Sequence, residues 1–164
     1  MSDTYTAGWP VGKAPGTGRR IPKGELQRRE EALKRASLFS DLPKRHLRTI
    51  ARVTGTSEFR PGTTVVKMGA PGRVFYVILE GDAKVLSKAG RTVRRLKAGD
   101  FFGEISLLDG GPRSATVIAE THLRCLSLAG QDFREIMARE PSLALAVVRG
   151  LAARLRTVTS PIVG

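Results

Sequence analysis

The stretch FFGEISLLDGGPRSATV, residues 101–117, interrupts an otherwise regular β-rich pattern and decides how the chain is interpreted. It begins and ends with residues typical of strands, Phe101-Phe102 and Ala115-Thr-Val117. Between them, Ile105 to Asp109 has the composition of one short helical turn, which Gly110-Gly111 would close. So short a helix between two strands is not there for packing alone, and functional groups concentrate in such connections. This segment, called the insert below, is therefore the first place to look for a site.

The residues of the insert favour binding of a sugar phosphate. Gly103 lets the backbone approach a ligand closely, and the first amides of a helical turn are unpaired, which makes an anion site. Glu104 offers a carboxylate that can accept hydrogen bonds from sugar hydroxyls. Arg113 offers a planar fork of donors suited to a phosphate, and the Ser114 hydroxyl with the amides of Ser114 and Ala115 can complete the cradle.

Around the insert, short runs rich in Val, Ile, Phe and Thr alternate with glycine punctuation at a spacing of about ten residues. This pattern predicts an antiparallel sandwich or barrel. The predicted strands are Ser57–Arg60, Thr63–Met68, Arg73–Leu79, Ala83–Ser87, Arg91–Leu96, Ala115–Ala119 and Leu123–Leu128.

Helical patterns flank this β region on both sides. Glu25 to Ala36 predicts a short surface helix, and Ser40-Asp41-Leu42-Pro43 signals the start of a second helix that runs to about Val53 and buries Leu42, Leu47 and Ile50. Gln131–Arg139 and a longer segment from Pro141 to about Thr159 predict two more. The fold class expected is α+β: an antiparallel β-barrel or jelly roll (double-stranded β-helix) flanked by N-terminal helices and two C-terminal helices.

The length of 164 residues fits one compact domain with short extensions. One cysteine excludes an internal disulfide, and two distant histidines make a metal centre improbable. Apolar runs are too short for a membrane span, and the first residues lack the features of a signal peptide, so we expect a soluble cytoplasmic protein. Residues 1–24, rich in Gly and Pro, are expected to be a flexible tail, as are residues 160–164.

The net charge of +13 comes from 28 basic and 15 acidic residues and is spread along the chain. Its densest cluster comprises Arg91, Arg94, Arg95 and Lys97, which we interpret as a solvated strand face. Weak attraction to nucleic acid follows from the total charge, but no helix-turn-helix is present to read a DNA sequence specifically. The acids near the insert show no partner for nucleophilic or acid–base chemistry, so an enzyme is not expected.

Phe102-Gly-Glu-Ile-Ser-Leu-Leu108 followed by Pro112-Arg-Ser-Ala-Thr-Val117 resembles the phosphate-binding cassette of cyclic nucleotide-binding domains. The resemblance runs from Leu38 to Leu155 and implies that residues 25–159 form such a domain. It also implies that Arg113 pairs with the cyclic phosphate and that Glu104 binds the ribose 2′-hydroxyl. Further roles follow for the amides around Ile105, Ser106, Ser114 and Ala115, which bind phosphate or sugar, and for Val85 and Val93, which touch the base or simply pack in the core.

The resemblance also bears on the ligand and on the signal. Ser114 follows the Arg as in a bacterial member that uses cyclic AMP, so cAMP is the expected ligand, with cGMP as the alternative. Three residues of the last helix, Arg154, Val158 and Thr159, fall near the base, where residues 141–159 would form a lid. The function implied is a receptor that changes conformation on binding and signals to an unidentified effector protein.

Two points stay open at this stage. The last helix carries an apolar seam of Ala144, Val148, Leu151, Leu155 and Val158, spaced for a homodimer or for packing on the chain's own barrel. The competing functions are a basic nucleic-acid-associated protein and a related domain that has lost ligand binding.

Overall fold

The computed structural model describes residues 20–36, 38–103 and 108–163, with the backbone alone at 154 and 157–163. The described chain consists of helices, then eight strands, then helices. The eight strands are β1 Gly55–Phe59, β2 Thr64–Val66, β3 Val74–Glu80, β4 Ala83–Leu86, β5 Thr92–Leu96, β6 Phe101–Phe102, β7 Thr116–Ala119 and β8 Leu123–Ala129. The four helices with their bounds are α1 Lys23–Arg35, α2 Lys44–Val53, α3 Gly130–Arg139 and α4 Pro141–Val163.

The strands form two antiparallel four-stranded sheets, in the orders β1-β8-β3-β6 and β2-β7-β4-β5. The α+β class with antiparallel sheets flanked by helices is therefore confirmed. Among the described residues the strands pair into two separate sheets, and these pairings do not show a closed barrel. Each predicted strand is present, and no end differs from the prediction by more than two residues.

Strand β3 is central because both of its faces are buried. Phe75 and Val77 point to one side and join a cluster with the helices, while Val74, Tyr76 and Ile78 point to the other side and join a cluster between the sheets. Successive side chains of a strand alternate between faces, so one continuous apolar run can serve two cores. The run VFYVIL in β3 has this composition.

Helix α1 is less of a surface helix than its sequence indicates. Its charged side chains cover one face, but Ala32 and Leu33 are buried in the helical cluster. The carboxylate of Glu30 is also buried, and it accepts a hydrogen bond from Arg48 Nε of α2 at 2.9 Å. In α2, Leu47 and Ile50 are buried as predicted, and so is Leu42 just before it. No helix in the described residues is long and apolar enough to cross a membrane.

Candidate functional site

Arg113 is fixed to the turn between β2 and β3 through its own backbone. Its N–H donates to Ala70 O at 2.8 Å, and its carbonyl accepts from Gly69 N–H at 2.9 Å. An isolated β-bridge joins the preceding residue, Pro112, to Pro71. The second half of the insert is therefore held in place by main-chain bonds on both sides of Arg113, independently of its side chain.

The guanidinium of Arg113 points into the protein, where the residue is only 7% exposed. Its Nη2 donates to Val74 O at 2.6 Å, at the start of β3, and its Nη1 lies 3.4 Å from Gly103 O. Arginine stays protonated in proteins, and its planar fork of donors matches the oxygens of a phosphate. The two carbonyls therefore orient a permanently charged group inside the protein, in a position that suits an anion such as a phosphate.

Gly103 makes room for this guanidinium. Its φ is +89°, in the left-handed region that favours glycine, and a Cβ built there would lie 2.5 Å from Arg113 Nη1 and 2.9 Å from Val74 O. Any other residue would have to displace the side chain or the strand. The sequence predicts that Gly103 allows a ligand to approach the backbone closely. In the structure the group that approaches Gly103 is the guanidinium of Arg113.

The remaining residues of the insert are only partly described. Leu108 and Asp109 are helical, as the sequence predicts for the end of the short turn. The predicted ligand-binding residues Glu104, Ile105 and Ser106 lie outside the described residues, so their roles stay predictions. On the far side of Arg113, Ser114 is exposed and Ala115 is half-buried.

The two valines predicted to touch the base occupy different environments. Val85 of β4 is half-buried, packs on the cluster between the sheets and pairs with the buried Val117 of β7. Val93 is 62% exposed and lies where the register between β4 and β5 shifts. The residue directly opposite Val85 on β5 is Arg94. Because cross-strand partners share a face, Arg94, Val85 and Val117 form one row on the inner face of this sheet.

Arg94 is a candidate site residue that the sequence interpretation assigned to a solvated face. Counting in twos back from Leu96, which is buried, places Arg94 on the same side of β5. The alternation of faces along β5 can therefore be counted in the sequence. It is hard to recognise because all four residues before Leu96 are exposed, so no second buried residue marks the inner face. Val93, by contrast, falls next to the register shift, which cannot be read from sequence.

The first half of α4 is seated on the N-terminal helices. Leu143 and Val147 are buried in the cluster that contains Leu38 and Phe39. A Cβ on Gly150 would lie 2.8 Å from Leu38 O, so the helix approaches this backbone closely. Beyond that point Leu151 still packs against this cluster, whereas the Leu155 side chain is exposed. Arg154, Val158 and Thr159 belong to this outer half by their backbone positions, and their side chains lie outside the described residues.

A buried histidine secures the junction between α3 and α4. His46 of α2 has Nδ1 3.1 Å from Glu140 Oε2 and Nε2 3.2 Å from Ser142 Oγ. A carboxylate can only accept, so Nδ1 donates. Glu140 is the non-helical residue between the two helices, with φ −123° and ψ 84°. His46 therefore contacts residues on both sides of the α3–α4 junction, called the hinge below, and holds it against α2.

The described residues also bear on metal binding and on thiol chemistry. Within them, no group of three or more His, Cys, Asp or Glu side chains could hold a metal ion. Burial raises the pKa of the Cys125 thiol to about 12, so the thiol stays protonated at neutral pH. Cys125 is accordingly a packing residue of the cluster between the sheets.

Residues 56–140 match the family model described as the cyclic nucleotide-binding domain. The N-terminal domain of a transcriptional regulator from Streptomyces coelicolor is 30% identical, with 80% of this chain and 94% of that chain covered and a TM-score of 0.71. The regulatory domain of Toxoplasma gondii PKA with cAMP is 26% identical, covering 71% of this chain and 46% of that one, with a TM-score of 0.66.

A crystal structure of a cyclic nucleotide binding protein from Ruegeria pomeroyi shares the fold at a TM-score of 0.69, with 17% identity over 82% of this chain and 61% of that chain. The family model spans more than half of the sequence and includes both Gly103 and Arg113. With the two four-stranded sheets and the buried arginine at the insert, these matches show that the chain belongs to the cyclic nucleotide-binding domain family.

Proposed function

We propose that this chain is a receptor for a cyclic nucleotide, with cAMP as its first candidate ligand, and that it signals through a partner without catalysing a reaction. The observation that carries the proposal is the buried guanidinium of Arg113, oriented by two backbone carbonyls next to Gly103. Members of the family that bind nothing typically lack the Arg or the Glu of the insert, and this chain has both Arg113 and Glu104. The similar Toxoplasma regulatory domain is described in complex with cAMP, which supports the same ligand class here.

In this proposal the cyclic phosphate pairs with Arg113, and the amides of Ser114 and Ala115 complete its cradle. Glu104 binds the ribose 2′-hydroxyl, and the amides around Ile105 and Ser106 close the other side. The inner face of the β4–β5–β7 sheet then provides the wall for the base, beginning at Val85.

Cyclic GMP is the second candidate, and Arg94 is the observation that favours it. Arg94 lies in the row with Val85 on the inner face, and it is exposed, so its donors are available there. A guanidinium can donate to both O6 and N7 of guanine, whereas adenine presents an amino group next to N7. Ser114, in contrast, is the feature that favours cAMP. The ratio of the two affinities is therefore the quantity to measure.

The burial of the first half of α4 limits which part of this helix can move as a lid. Leu143 and Val147 are buried and His46 contacts both sides of the hinge, so we infer that residues 141–150 stay docked on the N-terminal helices when a ligand binds. We infer that the ligand acts on the outer half, residues 151–159, which include Arg154, Val158 and Thr159. The exposed Val148 and Leu155 of the apolar seam then offer a surface for a homodimer or for the effector protein.

Replacement of Arg113 tests the receptor function. Arg113→Ala removes the charge partner of a buried phosphate, an effect that typically costs about 2–5 kcal/mol, so cAMP affinity should fall roughly 30-fold or more. Arg124→Ala is the matched control, since it removes the same charge from an exposed position on β8. Isothermal titration should show the loss for Arg113→Ala alone. Unchanged affinity in Arg113→Ala would contradict the site, and absence of cAMP and cGMP binding in the parent chain would contradict the function.

Gly103→Ala should weaken cAMP binding by disturbing the guanidinium, because its Cβ would press on Arg113 Nη1 and Val74 O. The control is Gly99→Ala, where φ is +93° and the added Cβ meets nothing within 4 Å. Both variants carry the backbone strain of a left-handed alanine, roughly 1–2 kcal/mol, so both should melt at lower temperature. Only Gly103→Ala should also lose affinity in titration. Equal affinities in the two variants would show that close packing at Gly103 does not support the site.

Arg94→Ser should lower the cGMP-to-cAMP affinity ratio by roughly fivefold or more, the lower end of what a bidentate Arg–guanine contact contributes. The adjacent Arg95→Ser removes the same charge from the opposite face of β5, where Arg95 pairs with Lys84, and should leave the ratio unchanged. Competition against a fluorescent cyclic nucleotide measures both constants. If the two variants alter the ratio equally, Arg94 does not contact the base.

Hydrogen exchange with and without saturating cAMP tests the lid. Amides of residues 143–150 should be protected in both states because that half of α4 is already docked, whereas those of residues 151–159 should gain protection on binding. A uniform change along the whole helix would indicate that α4 docks as one body. No change beyond residue 150 would contradict the lid altogether.

A further inference from the structure

Residues 83–99, which form the β4–β5 hairpin and its flanks, contain six basic residues and no acidic residue. They make up about a tenth of the chain and carry nearly half of its +13 net charge. Arg94 belongs to the inner face, as described above. The other five, Lys84, Lys88, Arg91, Arg95 and Lys97, are exposed except for the half-buried Lys84 and are called the basic hairpin surface.

The basic hairpin surface is poorly compensated within the protein. Lys84 and Arg95 are direct cross-strand partners, and like charges in that position destabilise a sheet. On its other side Lys84 pairs with Ile118, which is apolar. Arg95 is 70% exposed in its side chain and lies 3.6 Å from a carboxylate oxygen of Glu120, so this ion pair is a weak one. Packing and stability therefore do not explain why two cations face each other here.

The position of the hairpin suits a large partner. Strand β5 ends the order β2-β7-β4-β5, so the basic residues lie at an edge of the described sheet. The extended segment from Arg91 to Lys97, which flanks and includes β5, spans about 20 Å, and over that length one strand of DNA carries about six phosphates. The number of cations on the basic hairpin surface and the number of phosphates that it can span are therefore similar.

The same segment indicates which polyanion fits. Residues 83–99 contain no aromatic side chain on which an unpaired base could stack, which disfavours a single strand. Val93 is the one large hydrophobic of the segment that is strongly exposed, and a single valine is little to insert into a bilayer. We propose that the basic hairpin surface binds the phosphate backbone of duplex nucleic acid without reading its sequence.

This binding is separate from the cyclic nucleotide site, and the test keeps the two apart. The variant is Lys88→Ser/Arg91→Ser/Lys97→Ser, which spares Arg94 and the insert. The control is Arg28→Ser/Lys34→Ser/Arg35→Ser, which removes three exposed cations of α1 and gives the same net charge. Both proteins should bind cAMP as the parent chain does, which also verifies their fold.

Anisotropy of a labelled 25-base-pair duplex of arbitrary sequence is then followed between 50 and 200 mM salt. The parent chain should bind with a slope of log K against log salt of about −4 to −5, since each phosphate contact contributes about −0.9. The hairpin variant should bind more weakly with a slope reduced by about 2 to 3, and the α1 variant should match the parent chain. Equal losses of duplex affinity in the two variants would show that binding depends on net charge alone, and would overturn the proposal.

Two competitors distinguish other polyanions. Vesicles of phosphatidylserine and phosphatidylcholine, and a polyglutamate peptide, are added at equal negative charge to the bound duplex. The duplex should stay bound at 100 mM salt. Displacement by either competitor would overturn the assignment to nucleic acid in favour of a membrane surface or an acidic protein segment, and so would the absence of duplex binding at 50 mM salt.

Discussion

The constraint on which this structure depends is the burial of one guanidinium. Arg113 is held by its backbone to the β2–β3 turn and by its side chain to the carbonyl of Val74 and that of Gly103. A buried charge is costly unless it is hydrogen-bonded and balanced, so several elements must meet at this point in a fixed geometry. The left-handed Gly103, the bridge between Pro71 and Pro112, and the start of β3 all serve that one side chain.

The surrounding sheets supply the rigidity that such a site requires. Tyr76 of β3 stacks on Phe102 of β6, with ring centroids 5.1 Å apart and 24° between the ring planes. Phe59 packs edge-on against the same tyrosine at 5.8 Å. Because these rings are buried between the sheets, β6 is held in one position relative to β3, and so is the backbone of Gly103, which directly follows β6. In the proposed receptor this preorganisation favours phosphate binding, since little ordering remains for the ligand to impose.

The sequence predicted the α+β class and the order of the elements, because those features have local signals: period-two runs and glycine punctuation. Through the distinctive insert it also pointed to Arg113, whose pairing with a phosphate stays a prediction. It did not predict that α1 buries Leu33, since two leucines seven apart say little about a partner surface. It did not predict that Val93 lies exposed beside a register shift between β4 and β5, because such a shift is a property of the pairing and not of either strand alone; contact of Val93 with the base stays a prediction. The sequence predicted a lid over residues 141–159 and left open whether that helix is docked without ligand. The seating of residues 143–150 could not be read from it, since that seating depends on contacts with Leu38 and His46, about a hundred residues away. The ligand-binding roles of Glu104, Ile105 and Ser106 remain predictions.

The double burial of β3 also connects the site to the helices. Arg113 bonds to the carbonyl of Val74, and the next residue, Phe75, packs edge-on against Phe39 at 5.6 Å. Phe39 in turn contacts Phe133 of α3 at 6.2 Å. In a close-packed core a displacement at one end of such a chain of contacts must be taken up by its neighbours. A phosphate that pulls on Arg113 therefore acts on the start of β3, and through Phe75 on the cluster in which α1, α2 and the first half of α4 are packed. Because His46 holds the α3–α4 hinge against α2, these helices are coupled, and in the proposed lid it is the outer half of α4 that responds to the base.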